Sequence, residues 1–182
     1  MSDELLINHC SPTLAKLKTG NLFSCRYESE QQLFTDIRKL NKKLVPKGIR
    51  IMPLKFENGF ALIYLFRPEY LARDLSNSVA HDILARSGYK SHKPALSVIQ
   101  LIRRLNECNG FPHEIGLFLG YPPEDVKGFI EHKGADFKFA GLWKVYGDEN
   151  AARSRFELYR KCTDTYRQKL AYGVSVERLA IA

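Results

Sequence analysis

Cysteine, acidic charge and long apolar runs are all in short supply in this chain, and each shortage removes a class of explanation. The four cysteines, Cys10, Cys25, Cys108 and Cys162, stand far apart with no CxxC pair. That spacing fits neither a zinc site nor a disulfide framework, so free thiols in a reducing cytoplasm are expected. His9 adjoins Cys10 while His81, His92 and His132 are scattered, and no pair has ligand spacing on one helix, so no metal site is expected. No stretch approaches the roughly 18 apolar residues of a membrane span. The start, MSDELLINHC, lacks the charged opening and apolar core of a signal peptide. Repeats and low-complexity tracts are absent too, which removes solenoids and disorder.

Acidic residues are outnumbered: 20 Asp and Glu against 28 Lys and Arg leave a net charge of +8 and a pI near 9.3. A basic surplus suits nucleic acid, an anionic surface or an acidic protein. The cations are spread along the chain, with short clusters at Arg38-Lys39-Asn41-Lys42-Lys43 and between Arg153 and Lys169. A solvated basic surface explains them as well as a dedicated partner does.

What remains is ordinary for a globular protein. At 182 residues, 45% hydrophobic and 26% charged, the chain can bury a real core, and a single domain over 1–182 is expected. Asp3 to Asn8 reads as a short helix. Ser11-Pro12 reads as the cap and first position of a second one ending at Gly20. Leu22 to Tyr27 reads as a strand. Ser29 caps an amphipathic helix carrying Leu33, Phe34, Ile37, Leu40 and Leu44 at helical spacing. Ile49–Phe56 and Phe60–Arg67 form a hairpin through Asn58-Gly59. The second run, FALIYLF, is apolar almost throughout and predicts a central strand, whereas Pro53 in the first predicts an edge or bulge. Helices follow at Pro68–Ser76, Ser78–Arg86, Lys93–Asn106, Pro112–Leu119 and Pro122–His132. Ala140–Tyr146 reads as a last strand able to join the hairpin sheet, and Asn150–Tyr172 as a long helix stopped by Gly173. The class is α+β: a small, mainly antiparallel sheet of three to four strands packed with several helices.

Pro112 to Glu131 fits a helix-turn-helix template in its packing. Gly116 is the small residue where two helices touch, Gly120 supplies the turn, and Val126 packs back. The reading half of such a motif is missing. The second helix offers Pro122, Pro123, Glu124, Asp125, Lys127, Gly128 and Glu131, which repel phosphates and match few base edges. An αα-hairpin without DNA recognition is the expectation.

Three groups of side chains are candidates for chemistry. Cys10, just ahead of Ser11-Pro12, would gain thiolate character at a helix N-terminus; His113 and Glu114 could serve it as base and orienting acceptor. The plainer reading is a buried Cys10 and a polar His113 at a helix start. Lys18, Tyr64, Arg67 and Tyr146 could line an anion pocket at the end of the sheet. Trp143, within GLWKVYGD, shares a strand face with Val145, opposite Leu142, Lys144 and Tyr146; it packs a core or faces a planar ligand.

The blocks HCSPTLAKLKTGNLF, FPHEIGLFLGYPPEDVKGFI and GLWKVYGD, the last followed by AxxxxFxxYxxC, resemble a bacterial family catalogued as a domain of unknown function and found mostly in anaerobes. Cys10, Pro12, Thr13, Lys18, Phe111 to Tyr121, Asp125, Trp143 and Tyr146 stand as in the family pattern. The resemblance implies a stand-alone cytoplasmic protein, with no activity, cofactor or catalytic residue to carry over. The resemblance also implies genes that often lie near flavodoxins or ferrous-iron transport components. Together with the net charge, this suggests an accessory protein docking an acidic partner such as a flavodoxin-like electron carrier. The alternative is a small enzyme or cofactor-binding protein built on Cys10, His113 and Glu114, its cofactor unspecified.

Overall fold

The Asn-Gly turn sets the main sheet. The structure is a computed structural model describing residues 1–91, 93–107 and 110–182. His92 and Cys108, which entered the metal and thiol readings, lie outside the described residues. The chain forms two compact units, one of residues 1–69 with 161–182 and one of residues 70–160.

In the first unit, Asn58 and Gly59 both adopt positive φ, 51° and 78°. That is the backbone a two-residue turn needs between twisted strands, and Asn and Gly tolerate it best. It joins β2 (Arg50–Glu57) to β3 (Phe60–Phe66), and β1 (Gly20–Arg26) pairs with the other edge of β3, all antiparallel. The order β1-β3-β2 puts FALIYLF at the centre, as its apolar run predicts. Pro53, which cannot donate to a ladder, lies on an edge strand, and the register slips between Pro53 and Lys55. Ser29 caps α2 (Glu30–Leu44) by accepting from the Gln32 amide. This helix buries Leu33, Ile37 and Leu44 in a core with Leu6, Ile7, Ile51 and Ile63. Asn41 on α2 donates to the Ile51 carbonyl and accepts from the Ile51 amide at 2.8 and 3.0 Å, covering part of an otherwise open strand edge.

The N-terminal segment departs from expectation. One helix, α1 (Asp3–Leu14), replaces the two predicted, and Pro12 lies inside its last turn. Cys10 is therefore within a helix and not ahead of one. The last carbonyls of the helix find donors beyond it. Pro12 O accepts from the Leu17 and Lys18 amides, and Arg67 collects the next two.

Arg67 is 3% exposed and donates to four backbone carbonyls: Thr13 from Nε, Lys47 from one terminal nitrogen, and Leu14 and Ile181 from the other, at 2.7–3.0 Å. Arginine suits this place because its planar fork holds its charge and reaches several acceptors at once. It ties the end of α1, the turn after α2 and the chain's tail to the end of β3. The rest of this unit is the end of α8 (Glu149–Ala171) and α9 (Val176–Leu179), where Tyr166 donates to the Leu179 carbonyl at 3.0 Å.

The second unit contains α3 (Pro68–Leu75, from Tyr70 on), α4 (Ser78–Arg86), α5 (Pro94–Glu107), the single-turn α6 (Ile115–Phe118), α7 (Pro123–Glu131) and the first part of α8. The predicted strand at Ala140–Tyr146 is replaced by two short ones, β4 (Phe139–Ala140) and β5 (Lys144–Val145). They pair with each other in a separate sheet and not with the hairpin. Gly141-Leu142-Trp143 forms the bend between them, so the segment turns back on itself where alternation alone suggested a straight run. The burial pattern holds: Trp143 and Val145 are buried with Ala152, Phe156 and Tyr159 of α8, while Leu142 is exposed.

Arg67→Met should lower the unfolding free energy by about 3 kcal/mol or more, because several buried carbonyls lose a charged donor together. Urea unfolding followed by circular dichroism measures it, and a change under about 1 kcal/mol would contradict the clamp.

Candidate functional site

The helical pair of the second unit meets as its glycines require. A Cβ on Gly116 would stand 2.8 Å from Val126 Cγ2 and 3.1 Å from Tyr121 Cδ2, so α6 and α7 approach closely only because residue 116 has no side chain. Gly120, at φ 73°, makes the turn, and the Tyr121 amide closes it on the Gly116 carbonyl at 2.9 Å. Gly128 on the next turn lies under the Tyr146 ring, which any Cβ there would strike.

Asp125 fixes the position of the chain around Trp143. It is 3% exposed, and its carboxylate accepts three hydrogen bonds: from the Trp143 indole Nε1 at 2.7 Å, the Tyr146 amide at 2.8 Å and the Gly147 amide at 2.7 Å. A buried carboxylate is tolerated only with such partners. The GLWKVYGD segment is thereby laced to α7, and Trp143 is held with its polar edge inward. Its ring stacks on Tyr121 with centroids 4.6 Å apart and meets Phe156 edge-on at 4.3 Å.

Between these parts opens a cleft of about 340 Å³, at the lower end of the range for ligand pockets. Ile115 and Gly116 line it from α6, Leu119 from just after that turn, and Val126 and Phe129 from α7; Tyr121 and Trp143 add an aromatic wall. Phe111 and Leu142, each about half exposed (52% and 48%), also line it. The titratable lining groups are His113, Tyr121, Asp125 and Lys144. Burial raises the Tyr121 phenol above its ordinary range, so it stays neutral. The exposed His113 imidazole sits edge-on to Phe129 at 5.0 Å and has no hydrogen-bond partner among the described residues. Lys144 Nζ donates to the Gly134 carbonyl at 2.6 Å and lies 4.8 Å from the centre of the Phe137 ring. No serine, threonine or cysteine is among the described lining residues.

The candidate residues separate accordingly. His113 and Trp143 line this one cleft. Glu114, next to His113, is buried and turned away: Oε1 accepts from Arg104 Nε at 2.6 Å and from the Tyr89 hydroxyl at 3.3 Å. Tyr146 is not a lining residue; its hydroxyl donates to the Ala135 carbonyl at 2.8 Å, and its ring stacks on His132. Cys10, Lys18 and Arg67 belong to the first unit. Cys10 is fully buried and burial drives its thiol pKa far up, the reverse of the helix-terminus effect. Arg67 is engaged by its four carbonyls, and Tyr64, 1% exposed, stacks on Phe66. Lys18 is 7% exposed and donates to the Gly20 carbonyl at 2.6 Å. Sequence reasoning did not give a site role to Phe129, Tyr121 or Lys144. The apolar positions of the tandem helices were the available signal, and were read as packing alone. Among the described residues no three His, Cys, Asp or Glu side chains gather to hold a metal, and no helix is long and apolar enough to cross a membrane.

Comparison with known proteins adds one positive finding. A family model described as "Protein of unknown function (DUF3793)" matches residues 6–180. No curated protein and no solved structure matches the chain.

Lys18 generates a pH dependence. Burial lowers its pKa to about 7, whereas an unfolded lysine titrates near about 10.4. Between those values the unfolded chain binds the proton and the folded chain does not, so this contribution to stability grows with rising pH and is lost as pH falls towards the folded value. A neutral amine can still donate to Gly20. The unfolding free energy of the wild type minus that of Lys18→Met should therefore rise by roughly 2–4 kcal/mol from about pH 7 to about pH 10. Urea titrations across that range check it; a flat difference would place the proton on Lys18 throughout.

Proposed function

We propose that this chain, which belongs to the DUF3793 family, is a small-molecule binding protein whose site is the aromatic cleft between α6, α7 and the β4–β5 turn. The observation carrying this reading is the state of the cleft's polar groups. Asp125 and the Trp143 indole are already paired with each other. The cavity therefore presents rings and aliphatic carbons, with His113 and Lys144 as its outward polar groups. Apolar pockets with a few fixed polar groups are the usual form of a ligand site. The described lining has no serine, threonine or cysteine, and its single carboxylate is already engaged, which favours recognition over covalent catalysis.

A neutral two-ring probe, 2-naphthamide, should bind and move the indole N–H resonance of Trp143, the chain's one tryptophan. Replacing the two half-exposed lining residues together, Phe111→Ser with Leu142→Ser, should weaken that binding by about ten-fold, since each loses most of an apolar side chain from the contact. Thermal melts of the double variant show whether the fold is kept. Absence of a saturable shift in the wild type, or unchanged affinity in a folded double variant, refutes the site.

A second reading rests on the outer face of α2. Arg38, Lys39, Lys42 and Lys43 are exposed there, and Lys43 is in a surface ion pair with Glu177 at 3.1 Å. This face suits an acidic protein, an electron carrier of the flavodoxin type being the partner of choice. Complementary charge mainly speeds encounter and is screened by salt. Titration of such a carrier at low ionic strength should give binding that Arg38→Glu with Lys42→Glu weakens by about ten-fold and that about 0.3 M salt largely removes. Salt-independent binding, or none, counts against it.

A further inference from the structure

Lys144 is set into the cleft in a way that its own folding does not require. It stands on β5 between buried Trp143 and Val145, on the opposite side of the strand from them. Its stem is half-buried, and its ammonium is fixed by three contacts: the Gly134 carbonyl at 2.6 Å, the Phe137 ring centre at 4.8 Å and the Phe129 ring centre at 5.8 Å. A lysine free to snorkel would keep its head in water and gain full hydration. Here the head is held against two aromatic rings at the wall of a cavity. An ammonium has three donors, and Lys144 makes one hydrogen bond among the described residues.

The charges around it decide what it can take. Asp125 is the one carboxylate among the described lining residues. Both of its oxygens are occupied, Oδ2 by the Trp143 indole and Oδ1 by two backbone amides, and it is sealed at 3% exposure. It forms no ion pair with Lys144, and the three N–H dipoles aimed at it offset its field. His113 faces Phe129, the same ring that Lys144 overlies, and is a second donor on that side of the cavity. The remaining described lining is apolar or aromatic, and Tyr121 on Trp143 already forms a stack that a further flat ring can extend.

We infer that the cleft selects a flat aromatic carboxylate of one or two rings, its ring against the Tyr121, Phe129 and Trp143 walls and its carboxylate on Lys144 Nζ, with His113 as a supporting donor. This rests on the cleft being a binding site at all and adds the class of its ligand. One fixed cation and one imidazole match a single negative charge; a phosphate group would ask for more donors than the lining carries. The volume of about 340 Å³ matches one or two rings and not a dinucleotide.

The test compares two probes of the same shape, 2-naphthoate and 2-naphthamide, by calorimetry at moderate salt. The wild type should prefer the carboxylate by about ten-fold, the size of one charge-assisted hydrogen bond in a partly dry site. Lys144→Met keeps a chain of similar length on Phe129 and Phe137; it should erase the preference while leaving the amide's affinity within about two-fold, and Lys144→Arg should restore most of it. Equal affinity of the wild type for both probes, or a preference that survives in Lys144→Met, overturns the ligand class while the cleft remains a binding site. Failure of both probes to bind overturns the cleft itself.

Discussion

A single buried carboxylate holds the second unit's cleft in shape. Asp125 lies on the first turn of α7, where a negative charge is favoured by the helix's unsatisfied amides. Its oxygens accept from a later segment of chain, drawing the Trp143 indole and the amides of Tyr146 and Gly147 onto α7. Without those bonds nothing in the two-residue strands β4 and β5 would be strong enough to place Trp143, since so short a ladder is marginal by itself. The stack of Tyr121 on Trp143, the register that leaves Lys144 beside Phe129 and Phe137, and the exposure of Leu142 all follow from that anchoring. Removing the carboxylate would strand three donors, each costing roughly 1–3 kcal/mol if buried unpaired.

The first unit uses the opposite charge for a related purpose. Arg67 collects carbonyls where Asp125 collects amides, and both act on backbone groups that secondary structure leaves over. The glycines complete the second unit's arrangement. Gly116 and Gly128 permit Val126, Tyr121 and Tyr146 to lie directly on the helices, so the aromatic walls are close-packed behind the surface they present. Under the proposed binding role, walls packed from behind would keep the cleft in one shape, which lowers the entropy lost on binding.

The sequence spoke clearly where a feature is local. Asn58-Gly59 suits a tight hairpin turn, FALIYLF suits a central strand, and Pro53 suits an edge or a bulge; all three appear as expected. Gly116, Gly120 and Val126 were legible for the same reason, because the packing of two helices over a short turn is written in small residues at fixed spacing. The failures belong to distant partners. Nothing near Pro12 shows that Arg67, more than fifty residues on, will take the carbonyls of Thr13 and Leu14 at the end of α1. Glu114 looks like a partner for His113 because the two are adjacent, yet Arg104 of α5 claims it. Lys144 reads as an ordinary exposed face of a strand until the chain bends at Gly141–Trp143 and turns that face towards Phe129 and Phe137.

That last displacement also explains why the polar residues expected to do chemistry and those facing the cavity share only His113. A fold must satisfy its buried charges before it can offer any to a ligand. Cys10 is kept protonated by burial, and Glu114 and Asp125 are fully engaged. These are fixed parts of the structure, and using one for catalysis would mean breaking the bonds that position it. His113 and Lys144 differ: His113 rests on the Phe129 ring with no hydrogen bond among the described residues, and Lys144 makes one, to Gly134, beside the Phe137 ring. Aromatic contacts restrain a cation's position while leaving its donors directed elsewhere. Under the proposed binding role, the groups left for a ligand are His113 and Lys144, and both are set against the Phe129 ring.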